Sequence, residues 1–238
     1  MSRLDVAPQD DAPRRWQFSD AWAARLVLVL MACLAATGVV ALADAAKEHD
    51  GLSRLDPVTA ADLLRMRTPT LTELAHVFTF LGSEVVVGGL ALVVLATLLM
   101  RHQPSRAATF TIALAGSALL TVVVKLVVAR PRPGAVDRLG AIDASYSFPS
   151  GHTLNSTVFI ALVVWLLWPS VRSAGRIGLV TAAAVLAGGV AASRIYLGYH
   201  WLTDVLASGL VALAWLCIVG LLGSILTATA GRPTRHQT

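Results

Sequence analysis

Residues 107–128 read AATFTIALAGSALLTVVVKLVV, a run of 22 residues whose one charge, Lys125, falls near its end. Wound as an α-helix at 1.5 Å per residue, the run reaches ~33 Å, enough to cross a hydrocarbon core of about 30 Å. Ala129-Arg130-Pro131-Arg132-Pro133 follows at once, so basic residues and helix-stopping prolines stand where the apolar run ends. The fold is therefore read from this segment outward as a membrane span that terminates on fixed charge.

Five more candidate spans flank it: Ala21 to Ala43, Leu74 to Met100 (interrupted only by His76 and Glu84), Thr153 to Trp168, Ile177 to Ser193 and Val205 to Ala230. The runs from Thr153 and from Ile177 hold only about 16 residues, ~24 Å of helix, so their ends must continue into the interface. Composition agrees with this count. Of 238 residues 56% are hydrophobic and 14% charged, with a mean hydropathy of +0.70, against about 25% charged in soluble domains. An ordinary cytosolic enzyme and a disordered chain are both excluded. A net charge of +5 hints at an acidic partner, but the 19 Lys and Arg are scattered in twos and threes with no basic stripe, which excludes a nucleic-acid binder. Cys33 and Cys217 sit within apolar runs and point to neither a disulfide framework nor a metal site. The expected fold is all-α: one integral membrane domain of six transmembrane helices over residues 21–230, with short tails at 1–20 and 231–238.

Orientation follows from the bases that flank the spans. With the N-terminus inside, ten of the 19 basic residues and only four acids fall on the cytoplasmic side. Both termini are then cytoplasmic, in a multi-pass cell-membrane protein. Ala41-Leu42-Ala43 has the small-residue spacing of a signal-peptidase site, but four acids and two prolines precede the apolar run, and it is read as a retained span.

Polar residues at membrane depth are costly, so their placement is informative. Three clusters fall on the predicted outer side. The first is Lys125 to Pro133, which alone reads equally well as a snorkelling lysine with a basic interface anchor. The second is Phe148-Pro149-Ser150-Gly151-His152-Thr153, where Ser150 suits a helix N-cap and the free N–H groups of the helix start favour an anion. Alone it also reads as a capped helix with an interfacial histidine. In the third, Ser193-Arg194 to His200 and Asp204, the last two residues are four apart and share a helix face, so a carboxylate can orient an imidazole. A structural His–Asp pair is the alternative there. Together the clusters supply several cations, a helix N-terminus, one histidine backed by a carboxylate and one without. That combination is a receptacle for a phosphate group.

These motifs resemble the phosphatidic acid phosphatase type 2 superfamily, which also includes bacterial acid phosphatases and vanadium haloperoxidases. Its signature is Lys-x6-Arg-Pro, then Pro-Ser-Gly-His, then Ser-Arg-x5-His-x3-Asp. The chain matches at Lys125 with Arg132-Pro133, at Pro149 to His152, and at Ser193-Arg194 with His200 and Asp204. The resemblance implies that His200 attacks phosphorus to form a phosphohistidine, that Asp204 fixes its tautomer, and that His152 protonates the leaving oxygen. It further implies that Lys125, Arg132 and Arg194 hold the phosphoryl oxygens, with Ser150 and the Gly151 N–H adding hydrogen bonds. No metal or other cofactor is implied, because the cations do the work of Mg²⁺. The expected partner is a lipid phosphate at the outer leaflet: undecaprenyl diphosphate first, then phosphatidylglycerophosphate or phosphatidic acid. A lipid phosphotransferase would carry the same motifs, and a non-catalytic scaffold or transporter could share the fold.

Lesser expectations concern the surroundings. Asp44, Asp50, Asp56 and Asp62 read as solvated acids. Tyr196, Tyr199 and Trp201 read as aromatic-belt anchors, with lining of a lipid portal as the alternative. Glu84 and His76 suit packing or an interfacial position, with facing the site as the alternative, and Arg130 and Arg138 are placed to help hold a second phosphate. Gly88-Gly89 and Ala187-Gly188-Gly189 read as points of close helix packing.

Overall fold

Inside a hydrocarbon core each backbone polar group must find its partner within the chain, so apolar runs of this length become helices. The computed structural model describes residues 14–134, 137–141 and 143–230. It contains eight α-helices: α1 Arg14–Glu48, α2 Leu55–Arg65, α3 Pro69–Leu81, α4 Glu84–Met100, α5 Pro104–Val128, α6 Gly151–Leu167, α7 Ser173–Tyr196 and α8 Leu202–Ala230. Among the described residues there is no strand. Residues 1–13 and 231–238 of the expected tails lie outside the described residues, and the rest of the N-terminal tail, from Arg14, continues α1.

Five helices are long and apolar enough to span a membrane, and α3 with α4, taken as one span, makes the sixth. That second span departs from expectation: it is broken at Gly82–Ser83 and bent by 44°. Ser83 caps α4 by accepting from Val86 N at 3.3 Å, and a Cβ at Gly82 would lie 2.4 Å from Val190. The break is thus at a point where the end of α3 packs tightly on α7. The two spans that looked short are completed by polar motif residues that a hydropathy count passes over. Gly151 and His152 open α6, which a 3₁₀ turn extends to Ser170, while Arg194 to Tyr196 finish α7.

A long pair, α1 against α8, forms one side of the bundle; at the end away from the site Arg25 ties them by donating to Ser224 O at 2.8 Å. The main core lies between α4, α5, α6 and α8, around Phe110, Leu154, Val158 and Ala212. A smaller one under the site plugs Phe148 between α1, α5 and α8. Of the expected glycine packing points only Gly189 makes one, against Phe78; nothing lies within 4 Å of a Cβ built at Gly88, Gly89 or Gly188.

Candidate active site

All eight residues singled out from the motifs lie at one end of the bundle. Helix α5 stops at Ala129, whose left-handed conformation (φ 52) costs ~1–2 kcal/mol for a residue with a Cβ. This turn throws Arg130 and Arg132 off the helix towards different partners. Arg132 spreads its fork over the site: Nε donates to Ser145 O at 2.8 Å, Nη1 to Tyr199 O at 2.8 Å, and Nη2 to Ser145 Oγ at 2.9 Å and Asp143 Oδ2 at 2.5 Å. Lys125 Nζ donates to Ser145 Oγ at 3.0 Å and to the Tyr146 carbonyl. Burial lowers the Arg132 guanidinium from its ordinary value against the pull of Asp143. Burial alone would raise the Asp143 carboxyl; bonds from Ser145 and the Arg132 charge outweigh it and hold Asp143 below the usual carboxylate range.

Ser150 is the N-cap of α6. It is fully buried, its Oγ accepting from Thr153 N at 3.4 Å and Thr153 Oγ1 at 3.1 Å. Ser208 stitches this helix start to α8: its hydroxyl accepts from Ser150 N at 2.8 Å and reaches Asp204 O at 2.7 Å. Gly151 packs against Thr121, 3.2 Å from where its Cβ would stand, and the half-buried His152 follows in the first turn. Ser150 takes Thr153 N, which leaves the Gly151 and His152 N–H groups of the first turn as donors suited to an anion.

The third motif is a tight turn between α7 and α8. Arg194 O accepts from both Tyr199 N (3.0 Å) and His200 N (3.2 Å), which fastens the nucleophile candidate to the cation that precedes it. Gly198 (φ +76) allows the turn, since a Cβ there would stand 2.8 Å from Asp137 O. Arg194, 4% exposed, is aimed by Thr79, which accepts from Nη1 at 2.6 Å, and its Cζ lies 4.0 Å over the Tyr199 ring. Arg138 stacks on the same ring at 5.5 Å.

His200 is 3% exposed. Arg132 Nη1 lies 3.2 Å from its Nε2. Because guanidinium only donates, Nε2 is the acceptor and carries the lone pair, leaving the proton on Nδ1. Nδ1 lies 3.4 Å from Asp204 Oδ2, an ion-pair distance without hydrogen-bond alignment in this state. Burial pulls the His200 imidazole down to about 4 against the opposing effect of Asp204, so the ring is neutral near pH 7.

Several expectations for the surroundings are corrected. Asp56 is not solvated. It is 2% exposed and holds Arg130 Nη2 at 2.6 Å. Arg130 is not free for a second phosphate, since Nη1 also binds Asp204 Oδ1 at 2.6 Å. Both charges became cheap to bury by pairing; breaking such a buried pair costs about 3–5 kcal/mol. Tyr196 is buried and Tyr199 and Trp201 are half-buried, and each is tied to the turns around the site. Tyr196 Oη meets Thr72 Oγ1 at 3.1 Å, Trp201 Nε1 donates to Pro131 O at 3.1 Å, and Tyr199 serves as the stacking ring. His76 is exposed on α3, and Glu84 lines a groove of about 440 Å³ with Asn155. Sequence reasoning passed over Thr79, Asp143, Ser145, Thr203 and Ser208. Of these only Asp143-Ala-Ser145 carried a local signal, an Asx-type turn in which Ser145 N donates to Asp143 Oδ1 at 2.9 Å.

Residues 106–226, which include all three motifs, match the family model of the PAP2 superfamily. The chain belongs to the PAP2 superfamily. Among curated PAP2 relatives, phosphatidylglycerophosphatase B of Escherichia coli K12 is 36% identical over 78 residues, which cover 32% of this chain and 28% of that protein. The match thus spans under a third of the length of the Escherichia coli relative. Phosphatidylglycerophosphatase B of Bacillus subtilis 168 is 26% identical over 164 residues, covering 68% of this chain and 80% of that one. Two solved structures superpose on the bundle. A transmembrane PAP2 type phosphatidylglycerolphosphate phosphatase from Bacillus subtilis has a TM-score of 0.71 at 23% identity, covering 89% of this chain and 98% of that one. Aquifex aeolicus LpxE has a TM-score of 0.55 at 21% identity, covering 71% and 95%. These two likenesses carry the fold.

Proposed function

We propose that this PAP2 protein is a lipid phosphatase working through a phosphohistidine on His200. The observation that carries the reading is the pairing at the imidazole: an Arg132 donor 3.2 Å from Nε2 and the Asp204 carboxylate on the Nδ1 side. A neutral ring with its lone pair at Nε2 is a competent nucleophile. Arriving phosphate takes over the donors of Lys125, Arg132 and Arg194 and the first-turn N–H groups of α6. As Nε2 forms the N–P bond, the P–O bond to the lipid breaks. The departing oxygen leaves with the electron pair and is protonated by His152. Asp204 stabilises the cationic ring. Water, deprotonated by His152, then attacks phosphorus, the N–P bond breaks, and inorganic phosphate leaves. Phosphoryl transfer of this kind needs mostly positioning and charge stabilisation, which three clustered cations supply.

The substrate is a lipid phosphomonoester or diphosphate. Both relatives are phosphatidylglycerophosphatases, which moves phosphatidylglycerophosphate ahead of undecaprenyl diphosphate and phosphatidic acid. The positive-inside count supports cytoplasmic termini and a site on the outer face. In a variant lacking Cys33 and Cys217, single cysteines at Ser105 and Lys47 are expected to label from opposite sides; same-side labelling overturns the topology. The decisive assay offers the purified protein a panel of these lipids with EDTA present. Release of inorganic phosphate, inhibition by vanadate and loss of turnover to background in His200→Ala are expected. Wild-type turnover by His200→Ala removes the nucleophile assignment.

A further inference from the structure

Asp56 opens α2, outside every motif and 147 residues from Thr203, yet it is built into the catalytic turn. Its Oδ1 accepts Thr203 N at 2.9 Å; its Oδ2 accepts Thr203 Oγ1 and Arg130 Nη2, both at 2.6 Å. Arg130, 8% exposed, divides its fork between two carboxylates, giving Nη1 to Asp204 Oδ1 at 2.6 Å and to Thr203 Oγ1 at 2.8 Å. Asp204 is 0% exposed, and its Oδ2 accepts Trp201 N at 2.9 Å while facing His200 Nδ1. The Trp201 ring covers the Arg130 guanidinium at 5.5 Å. The result is one sealed row of alternating groups: carboxylate, guanidinium, carboxylate, imidazole.

We propose that Asp56 and Arg130 are positioning residues for the phosphoryl transfer, setting both the rotation and the effective charge of Asp204 behind His200. This rests on the phosphatase reading above. Arg130 pins Asp204 Oδ1, so Oδ2 is the oxygen turned to the imidazole. Left alone with Asp204, however, Arg130 would neutralise the carboxylate that His200 needs. Asp56 takes the other arm of the guanidinium and balances its charge, leaving the row with one net negative charge. When Nε2 forms the N–P bond and the lipid oxygen departs with the P–O electron pair, the ring keeps its Nδ1 proton and becomes cationic. At that moment the row becomes neutral overall. The charge thus helps most in the covalent state, and little in ground-state binding, which belongs to Lys125, Arg132 and Arg194.

The test is Asp56→Asn, which keeps a carbonyl for Thr203 and removes the charge. The expected loss in kcat is ~10-fold to 100-fold, the range for losing a group that orients a histidine from behind its direct partner, with KM changed by less than about twofold. Vanadate bonds to Nε2 and generates the same ring charge, whereas inorganic phosphate only occupies the cations. Directly measured vanadate affinity therefore falls by a factor like that in kcat, and phosphate affinity stays put. Equal loss of both affinities makes Asp56 a prop for the fold and overturns the proposal, as do wild-type kcat and vanadate affinity. Arg130→Gln alone risks misfolding, so it is made on top of Asp56→Asn, where it returns the row to one net negative charge; a double variant much worse than Asp56→Asn also overturns the proposal. Wild-type protein that binds vanadate but hydrolyses no lipid sinks the phosphatase reading, and the vanadate arm still decides the role of Asp56.

Discussion

Behind the His200 ring every group is sealed and paired: Asp56 is 2% exposed, Arg130 8% and Asp204 0%. In front, the cations rest on groups that water also reaches. The Asp143 side chain is 37% exposed, and Ser145 and Tyr146, which hold Lys125, are exposed as well. Both faces are networks of charge-assisted bonds, but only the rear one is fixed. The front one consists of bonds that substrate must exchange for its own. A site for phosphate therefore needs two kinds of electrostatics, one that never rearranges and one that is surrendered on binding.

The strongest way to break this contrast is at Arg132, the front cation that also meets the imidazole at Nε2. Arg132→Ala is expected to lower kcat/KM by ~10²–10³, the cost of losing one preorganised donor, measured on the lipid panel. Arg132→Lys is expected to restore little, because a point charge cannot span Asp143, Ser145, Tyr199 and the imidazole together. Full rescue by lysine would show that charge alone matters in front. Next comes pH. His200 at about 4 loses its lone pair only as pH falls through that value. Corrected for the second ionisation of the substrate near 6, the acid limb of kcat/KM is expected only below pH ~5, falling about tenfold per unit. An acid limb at the free-histidine value would mean that the rear face is not sealed. The smallest effect is expected from Asp143→Asn. Removing this half-exposed competitor for Arg132 tightens phosphate and vanadate by about twofold to fivefold, with kcat unchanged. Weaker binding would show that Asp143 aims Arg132 more than it occupies it.

These contrasts were unequally legible in the sequence. The spans could be read because apolar runs such as 107–128 leave the backbone few alternatives, and the front cations because charge at membrane depth is rare. Asp56 could not. An acid in a polar loop costs nothing in water, and only the fold shows that α2 folds back over the start of α8. Arg130 and Arg132 differ only by an intervening proline in sequence; the left-handed Ala129 decides that one turns to the rear and the other to the front. The break at Gly82–Ser83 was hidden for the opposite reason, since hydropathy stays high across it and packing of Gly82 on Val190 supplies the cause.

That break has a mechanical consequence. Thr79, which aims Arg194, lies on the short arm of the second span, just before the joint, while α4 is the long arm below it. A bilayer thicker or thinner than the protein's own loads α4 through its apolar length. With a 44° bend and a two-residue break in between, that load is expected to turn α4 and leave α3 seated on α7. Turnover in vesicles of graded acyl length is then expected to vary little, and a steep dependence on thickness would show that the joint transmits the load.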